Sequence, residues 1–194
     1  MELTQNPSVL ELVQKTAELT TPKEIVWIDG SEAQLESLRK IAVETGELIK
    51  LNEEKLPGCY LNRSDVNDVA RVEGRTFICS RTREEAGPTN NWMDPDEMKA
   101  KLHEILRCAM AGRTMYVIPY SMGVIGSPFA KYGIEVTDSI YVVLNMAIMT
   151  RIGTKVLDAL GDSSDVILGV HSKVTLDPEN RYIVHFPEEN KIIS

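Results

Sequence analysis

Five arginines within residues 63–83 are the side chains best suited to bind a ligand: Arg63, Arg71, Arg75, Arg81 and Arg83. The planar guanidinium group matches the geometry of carboxylates and phosphates, and it keeps its charge at any working pH. The stretch is rich in loop-forming residues, and loops beside a sheet are where ligand-binding groups are often found. We therefore expect a site for a small anion, with a surface salt bridge as the alternative role of each arginine.

Nucleotide and metal motifs are not found in the sequence. Neither G-x-x-x-x-G-K-[ST] nor G-x-G-x-x-G occurs, and the glycine-rich run 123–128 has no lysine after it, so a plain turn is the favoured interpretation. His171 and His185 lie in predicted strands and could be neighbours across a sheet. Because no third ligand stands at a recognisable spacing, structural roles for both histidines are the better explanation.

Composition and charge narrow the classes of function. The chain has 194 residues, of which 43% are hydrophobic and 26% charged, as in ordinary globular domains. Its 21 lysines and arginines against 29 acidic residues give a net charge of −8, which argues against a nucleic-acid partner. One or two local arginines can still bind a small anion, because distant charges are screened.

Membrane insertion and secretion are also disfavoured. No apolar run reaches the roughly 18 residues of a membrane span, and the first residues carry no signal-peptide pattern. The three cysteines are odd in number and form no Cys-x-x-Cys, so neither a disulfide framework nor a zinc site is indicated. A cytoplasmic location is the expectation.

The elements that must position the candidate residues alternate between helix and strand. Helices are predicted over 7–19, from Ser31 to about Thr45, from Asp94 to Gly112 and over 154–160. Strands are predicted over 24–29, 48–51, 75–79, 114–120, 134–136, 166–171 and 181–186, with 191–193 as a further option. The order predicts a single three-layer α/β/α domain with a mixed β-sheet.

Two segments leave alternatives open. Residues 140–149 are rich in valine and isoleucine, which favours a strand, although their length also suits a helix; we take them as a strand. Ile192 and Ile193 stand directly before the last residue, which suggests an exposed edge strand or a chain cut inside a larger protein. Exposure of this edge would favour self-association.

Several blocks, in the right order, are similar to the N-terminal domain of GTP-dependent phosphoenolpyruvate carboxykinase. They are DVARVE over 68–73, RTFI over 75–78, GPTNNW over 87–92, GRTMYVIPYSMG over 112–123, GIEVTDS over 133–139 and IMTRIG over 148–153. The resemblance covers roughly residues 20–194. Two positions depart from the family pattern: Val124 stands where the family usually has proline, and Ala147 where it usually has arginine.

The resemblance implies a function and one site residue. The family consists of lyases (decarboxylases) that act in gluconeogenesis. These enzymes convert oxaloacetate and GTP into phosphoenolpyruvate, GDP and carbon dioxide. The family's arginine in the Ala-Arg-Val/Ile-Glu block binds the anionic groups of the organic substrate, and this arginine corresponds to Arg71. A salt bridge to Asp68 or Glu73 is the alternative for Arg71.

The resemblance also implies what lies outside these residues. The family uses Mn²⁺ or Mg²⁺ and GTP, and its phosphate-binding lysine, metal ligands and guanine pocket belong to a C-terminal nucleotide and metal domain that is absent from this chain. Residues 1–194 are thus expected to form one substrate-side domain that binds oxaloacetate or phosphoenolpyruvate weakly and is inactive alone. No catalytic, cofactor-binding or metal residue is assigned in this chain.

Three interpretations remain: part of an enzyme, a stand-alone small-anion-binding or regulatory domain derived from the family, or a purely structural unit. A stop codon directly after Ser194 in the native reading frame would favour the second interpretation.

Overall fold

A mixed sheet forms the middle layer of the computed structural model, which describes residues 2–64, 72–173 and 179–194. The strands are β1 (Glu24–Trp27), β2 (Ile49–Lys50), β3 (Tyr60–Leu61), β4 (Thr76–Ile78), β5 (Thr114–Met122), β6 (Lys131–Thr137), β7 (Arg151–Ile152), β8 (Ile167–His171), β9 (Ile183–Phe186) and β10 (Lys191–Ile193). The helices are α1 (Pro7–Thr20), α2 (Glu32–Glu44), α3 (Pro95–Leu106), α4 (Ile140–Met149) and α5 (Thr154–Leu160). None of the helices in these described ranges is long and apolar enough to span a bilayer.

The strand order of the main sheet is β1-β5-β6-β8-β10-β9-β4, and β7 adds to β5. Strands β6, β8 and β10 run parallel to one another, whereas β5 pairs antiparallel with β6 and β9 pairs antiparallel with β10. The carboxyl ends of the three parallel strands therefore meet at one edge of the sheet, at Thr137, His171 and Ile193. This edge is where polar groups from separate parts of the sequence come together.

Helices cover both faces of the sheet and give the three layers that the sequence predicts. On one face, α1, α3 and α5 bury an apolar core that includes Val9, Met98, Leu157, Met115 and Ile134. On the other face, α2 and α4 pack over β1 and β5 through a second core formed by residues such as Leu38, Ala42, Ile118 and Val143. Burial of these side chains is the main stabilising contribution to the layered fold.

Capping residues set the helix starts as the sequence indicates. Asn6 accepts hydrogen bonds from the amides of Ser8 and Val9, and Asp94 accepts them from Asp96 and Glu97. A proline follows each of these caps, where its missing N–H costs no helical hydrogen bond.

Residues 140–149 form a helix, and the strand prediction for them is wrong. Ser139 caps α4 by accepting the amide of Val142, and the buried residues Ile140, Val143 and Leu144 recur at helical spacing. The β-branched residues that suggested a strand cost only a few tenths of a kcal/mol each in a helix. Packing of one helical face against the sheet outweighs that preference.

Two other expectations about strands need correction. The strand predicted over 48–51 is shorter in the structure, at Ile49–Lys50, and it pairs with β3 in a separate two-stranded ribbon. The predicted exposed edge at Ile192 and Ile193 is wrong as well, because β10 lies inside the sheet between β8 and β9 and Ile193 is buried. Main-chain partners on both sides leave no open strand edge there.

Gly169 in β8 is required by a neighbouring acid. A Cβ atom at position 169 would collide with the carboxyl group of Glu135 on β6, which occupies the space above the glycine. Burial raises the pKa of Glu135 to about 8, so the carboxyl group holds its proton at neutral pH. Because the protonated carboxyl group of Glu135 is neutral, it needs no cationic partner at this point of the sheet.

Candidate functional site

A cavity of about 690 Å³ opens at the edge where the parallel strands end. His171, Ser172 and Lys173 at the end of β8 line it together with Ser194 after β10 and Ser139 at the start of α4. The carboxyl edge of parallel strands is the usual ligand site of α/β sheets. This cavity is therefore the best candidate site among the described residues.

Charged side chains on the wall of this cavity favour an anionic ligand. Arg113, Lys173 and Arg181 line it, and Glu47 is the only carboxylate that lines it within the described part of the chain. The amide of Tyr141 donates to Glu47 Oε1 over 3.1 Å, and the Ser139 hydroxyl donates to the same oxygen over 3.2 Å. Glu47 thus satisfies the start of α4, and basic side chains outnumber acidic ones among the described residues of the wall.

An ion pair beneath the cavity holds this edge together. Asp138 follows β6 and has a fully buried side chain, and its Oδ2 lies 2.7 Å from Arg113 Nε. The amide of Lys173 donates to Asp138 Oδ1 over 2.9 Å, and the Ser172 hydroxyl lies 3.3 Å from Oδ2. Arg113 also donates to the carbonyl oxygen of Ala109. One carboxylate therefore ties the end of β8 to the start of β5.

Lys173 is fixed at both of its ends. Asp138 holds its main chain, and Glu47 Oε2 lies 3.6 Å from its Nζ atom. Beside it, His171 Nδ1 lies 2.8 Å from the hydroxyl of Thr137 at the end of β6, and the amide of Ser139 donates to that same hydroxyl. These contacts fix the shape of the cavity rim before any ligand arrives, which reduces the entropy lost on binding.

Arg71, the one site residue carried over from the family, lies outside the described residues. Ser64 and Val72, the described residues on either side of 65–71, both line the cavity.

The other arginines of the 63–83 stretch do not line the cavity. Arg75 forms an ion pair with Glu179 and donates to the Tyr182 hydroxyl over 2.7 Å, so the salt-bridge alternative is confirmed for Arg75. Arg63, Arg81 and Arg83 are exposed to solvent. These four arginines are therefore not part of the cavity wall.

The suggested histidine pair does not form. His171 lies in β8 and His185 in β9, and β10 runs between them. Nowhere in the described ranges do three or more histidine, cysteine, aspartate or glutamate side chains gather in a way that could hold a metal ion.

Sequence reasoning did not identify Glu47, Arg113, Asp138 or Lys173 as site residues. Asp138 and Lys173 could have been identified, because each comes two residues after the end of a predicted strand. The carboxyl ends of parallel strands are where ligand-binding residues gather. Nothing in the sequence pairs Arg113 with Asp138, since only the register of β5 and β6 brings the two residues together.

The chain is similar to one family of known proteins over nearly its whole length. A family model described as "Phosphoenolpyruvate carboxykinase N-terminal domain" matches residues 11–194. The chain is 52% identical over 191 residues to a phosphoenolpyruvate carboxykinase [GTP] of Anaeromyxobacter dehalogenans (strain 2CP-C), an alignment that covers 98% of this chain and 32% of the relative. It is 49% identical to that of Neocallimastix frontalis, covering 97% and 33%, and 46% identical to that of Corynebacterium jeikeium (strain K411), covering 98% and 33%. The chain thus spans about a third of the length of these curated relatives.

Proposed function

Since the chain belongs to the family of phosphoenolpyruvate carboxykinase N-terminal domains, we propose that it forms the substrate-side domain of a GTP-dependent phosphoenolpyruvate carboxykinase. Such an enzyme converts oxaloacetate and GTP into phosphoenolpyruvate, GDP and carbon dioxide. The names of the relatives and their alignment with nearly the whole chain support this proposal.

The observation that carries the proposal is the cavity at the carboxyl ends of β6, β8 and β10. Arg113, Lys173 and Arg181 lie on its wall; Arg113 pairs with the buried Asp138 and Lys173 faces Glu47, and a small anionic substrate would accept further hydrogen bonds from these basic side chains. Ser64 and Val72 on that wall bracket the segment that contains Arg71. In this proposal Arg71 binds the carboxylate or phosphate of the substrate through its planar guanidinium group.

GTP and the divalent metal are assigned to the part of the enzyme beyond this chain. The described residues hold no candidate set of metal ligands, and the sequence contains no phosphate-binding lysine motif. Phosphoryl transfer depends on metal ions and cationic groups that stabilise the charge of the transition state. The chain would orient the organic substrate, and it would have no catalytic activity by itself.

The test of this function compares the complete enzyme with the chain. We expect the complete enzyme, supplied with oxaloacetate, GTP and Mn²⁺, to form phosphoenolpyruvate in a GTP-dependent manner, and we expect the purified 194-residue chain to form none above a no-protein control. Formation of phosphoenolpyruvate is followed by a coupled spectrophotometric assay. A complete protein without this activity, or an active isolated chain, would contradict the proposal.

We further propose that the chain is cytoplasmic and that it self-associates when isolated. Exposed apolar side chains occur on the turn between β5 and β6 and at the end of α4: Val124, Phe129, Ile148 and Met149 are 65%, 89%, 82% and 77% exposed. The pairing of Arg151 with Ser121 places the end of α4 next to the end of β5, so these side chains lie at the same end of the sheet. Apolar surface of this kind favours association.

Sedimentation velocity over a range of concentrations tests the proposed association. We expect the isolated chain to form concentration-dependent oligomers, and we expect the double substitution Phe129→Ser and Ile148→Ser to shift it toward monomer. Leu56→Ser serves as the matched control, because Leu56 is 49% exposed in a separate loop. A monomeric wild-type chain at high concentration, or an equal response to the control, would argue against this surface.

A further inference from the structure

Lys191 in β10 lines a second cavity, of about 300 Å³, between α1 and the sheet. Successive residues of a strand point to opposite faces, so the Lys191 side chain shares the α1 face of the sheet with the buried Ile193. The apolar part of the wall is formed by Leu12, Leu19, Leu106, Leu168, Val170 and Ile193. Lys191 therefore lines a space whose wall is aliphatic on one part and polar on the other.

The charged groups around this cavity are already paired with one another. On α1, Lys15 Nζ lies 2.5 Å from Glu11, and Lys99 Nζ on α3 lies 2.5 Å from Glu189 in the turn before β10. Within the described ranges, Lys191 has no ion pair and no side-chain hydrogen bond to a carboxylate. Both acids near Lys191 are thus committed to other lysines.

Electrostatics separate Lys191 from its two neighbours. Burial lowers the pKa of Lys191, and the charges of Lys99 and Lys15 lower it further, against the opposing effects of Glu189 and Glu11. Hydrogen bonds to Glu11 and Glu189 raise the pKa of Lys15 and Lys99. At a given pH above neutrality, the fraction of side chains in the neutral, nucleophilic amine form is therefore larger for Lys191 than for Lys15 and Lys99.

We propose that Lys191 is a modification site that accepts a short acyl group from an activated donor, an acyl phosphate or an acyl thioester. The neutral amine attacks the acyl carbon, and a C–N bond forms as the bond from that carbon to the phosphate oxygen or the thioester sulfur breaks. Phosphate or thiolate leaves with the electron pair, and the amine proton passes to solvent. The step involves no oxidation or reduction.

The cavity suits both the reaction and its product. Aliphatic side chains on one part of the wall can surround the hydrocarbon part of a short acyl group. Acylation also replaces a partly buried ammonium ion with a neutral amide, which removes an unfavourable desolvation. The structure therefore favours modification at Lys191 over modification at an exposed, ion-paired lysine.

Competitive acetylation tests the proposal. The purified chain is treated at pH 8 with a limiting amount of acetyl phosphate or, in a second arm, acetyl-coenzyme A, and acetylation of each lysine is quantified by mass spectrometry. The same reaction in concentrated urea gives the intrinsic reactivity of each site. We expect the native-to-denatured ratio of rates to be several-fold higher at Lys191 than at Lys15 and Lys99, because burial lowers the pKa of Lys191 whereas hydrogen bonds to acids raise the pKa of the other two.

The two arms and one variant decide the result. If only acetyl phosphate labels Lys191 preferentially, the site is specific for acyl phosphates. If only acetyl-coenzyme A does so, the site is specific for acyl thioesters. If both do so, the site accepts activated acyl donors in general. In Lys191→Arg the fast-labelled peptide should disappear while Lys15 and Lys99 react as before. If the native-to-denatured ratio at Lys191 does not exceed that at Lys15 with either donor, the proposal is wrong.

Discussion

Replacing Arg113 with methionine is expected to lower the free energy of unfolding by about 2 kcal/mol. Methionine retains much of the aliphatic volume of arginine but leaves the fully buried carboxylate of Asp138 without its cation. Removing one partner of a fully buried ion pair costs about 3–5 kcal/mol, but the Arg113 side chain is 37% exposed. The amide of Lys173 and the Ser172 hydroxyl also retain part of the compensation, so the expected loss lies below that range. Urea denaturation of the 194-residue chain, followed by circular dichroism, measures the change.

Two further variants separate charge from packing in this prediction. Adding Asp138→Asn to Arg113→Met removes the uncompensated charge and should recover part of the lost stability. Arg107→Met is the matched control, since the Arg107–Glu104 pair is exposed (57% and 68%) and should change stability by less than about 0.5 kcal/mol. Equal effects of Arg113→Met and Arg107→Met would show that the buried pair does not stabilise the sheet edge.

In the complete enzyme, Arg71→Ala is expected to weaken oxaloacetate and phosphoenolpyruvate by roughly 10- to 150-fold. A hydrogen-bonded contact to a charged group contributes about 1.5–3 kcal/mol, which corresponds to that range of affinity. GTP affinity should stay nearly unchanged, because Arg71 is proposed to contact only the organic substrate. Steady-state kinetics in both directions, with each substrate varied in turn, measure these effects.

Controls for Arg71 come from its chemistry and from its neighbours. Arg71→Lys should recover only part of the affinity, since an ammonium group cannot make the two parallel hydrogen bonds of a guanidinium group. Arg83→Ala removes an exposed arginine from the same stretch and should leave the kinetics unchanged. Unaltered constants for oxaloacetate in Arg71→Ala would remove Arg71 from the site, although the family membership would stand.

Local signals in the sequence predicted the layers of the fold well. The caps at Asn6, Ser31 and Asp94 act within three residues of themselves, so the helices that follow them could be read from neighbouring positions. The segment 140–149 was misread because its residues are apolar on more than one side, and the periodicity that distinguishes helix from strand was therefore weak.

Pairing between strands and side chains that are distant in the sequence could not be predicted from the sequence. The place of β10 between β8 and β9 depends on hydrogen bonds to two other strands, and nothing within residues 191–193 specifies them. The same holds for Arg113 and Asp138, which are brought together by the register of the sheet. Arg71 was predicted from the family resemblance and stays a prediction, whereas the residues that line the cavity were identified from the structure.

The central place of β10 has a consequence for how the chain folds during its synthesis. The N-terminus of a chain leaves the ribosome first. Strand β8 and the β4–β9 pair therefore emerge before β10, the strand that joins them. Until residues 191–193 appear, β8 has an open edge with Leu168 and Val170 beside it, and such edges attract other chains. Nascent chains that stall shortly before residue 191 should therefore depend on chaperones far more than chains that have passed it.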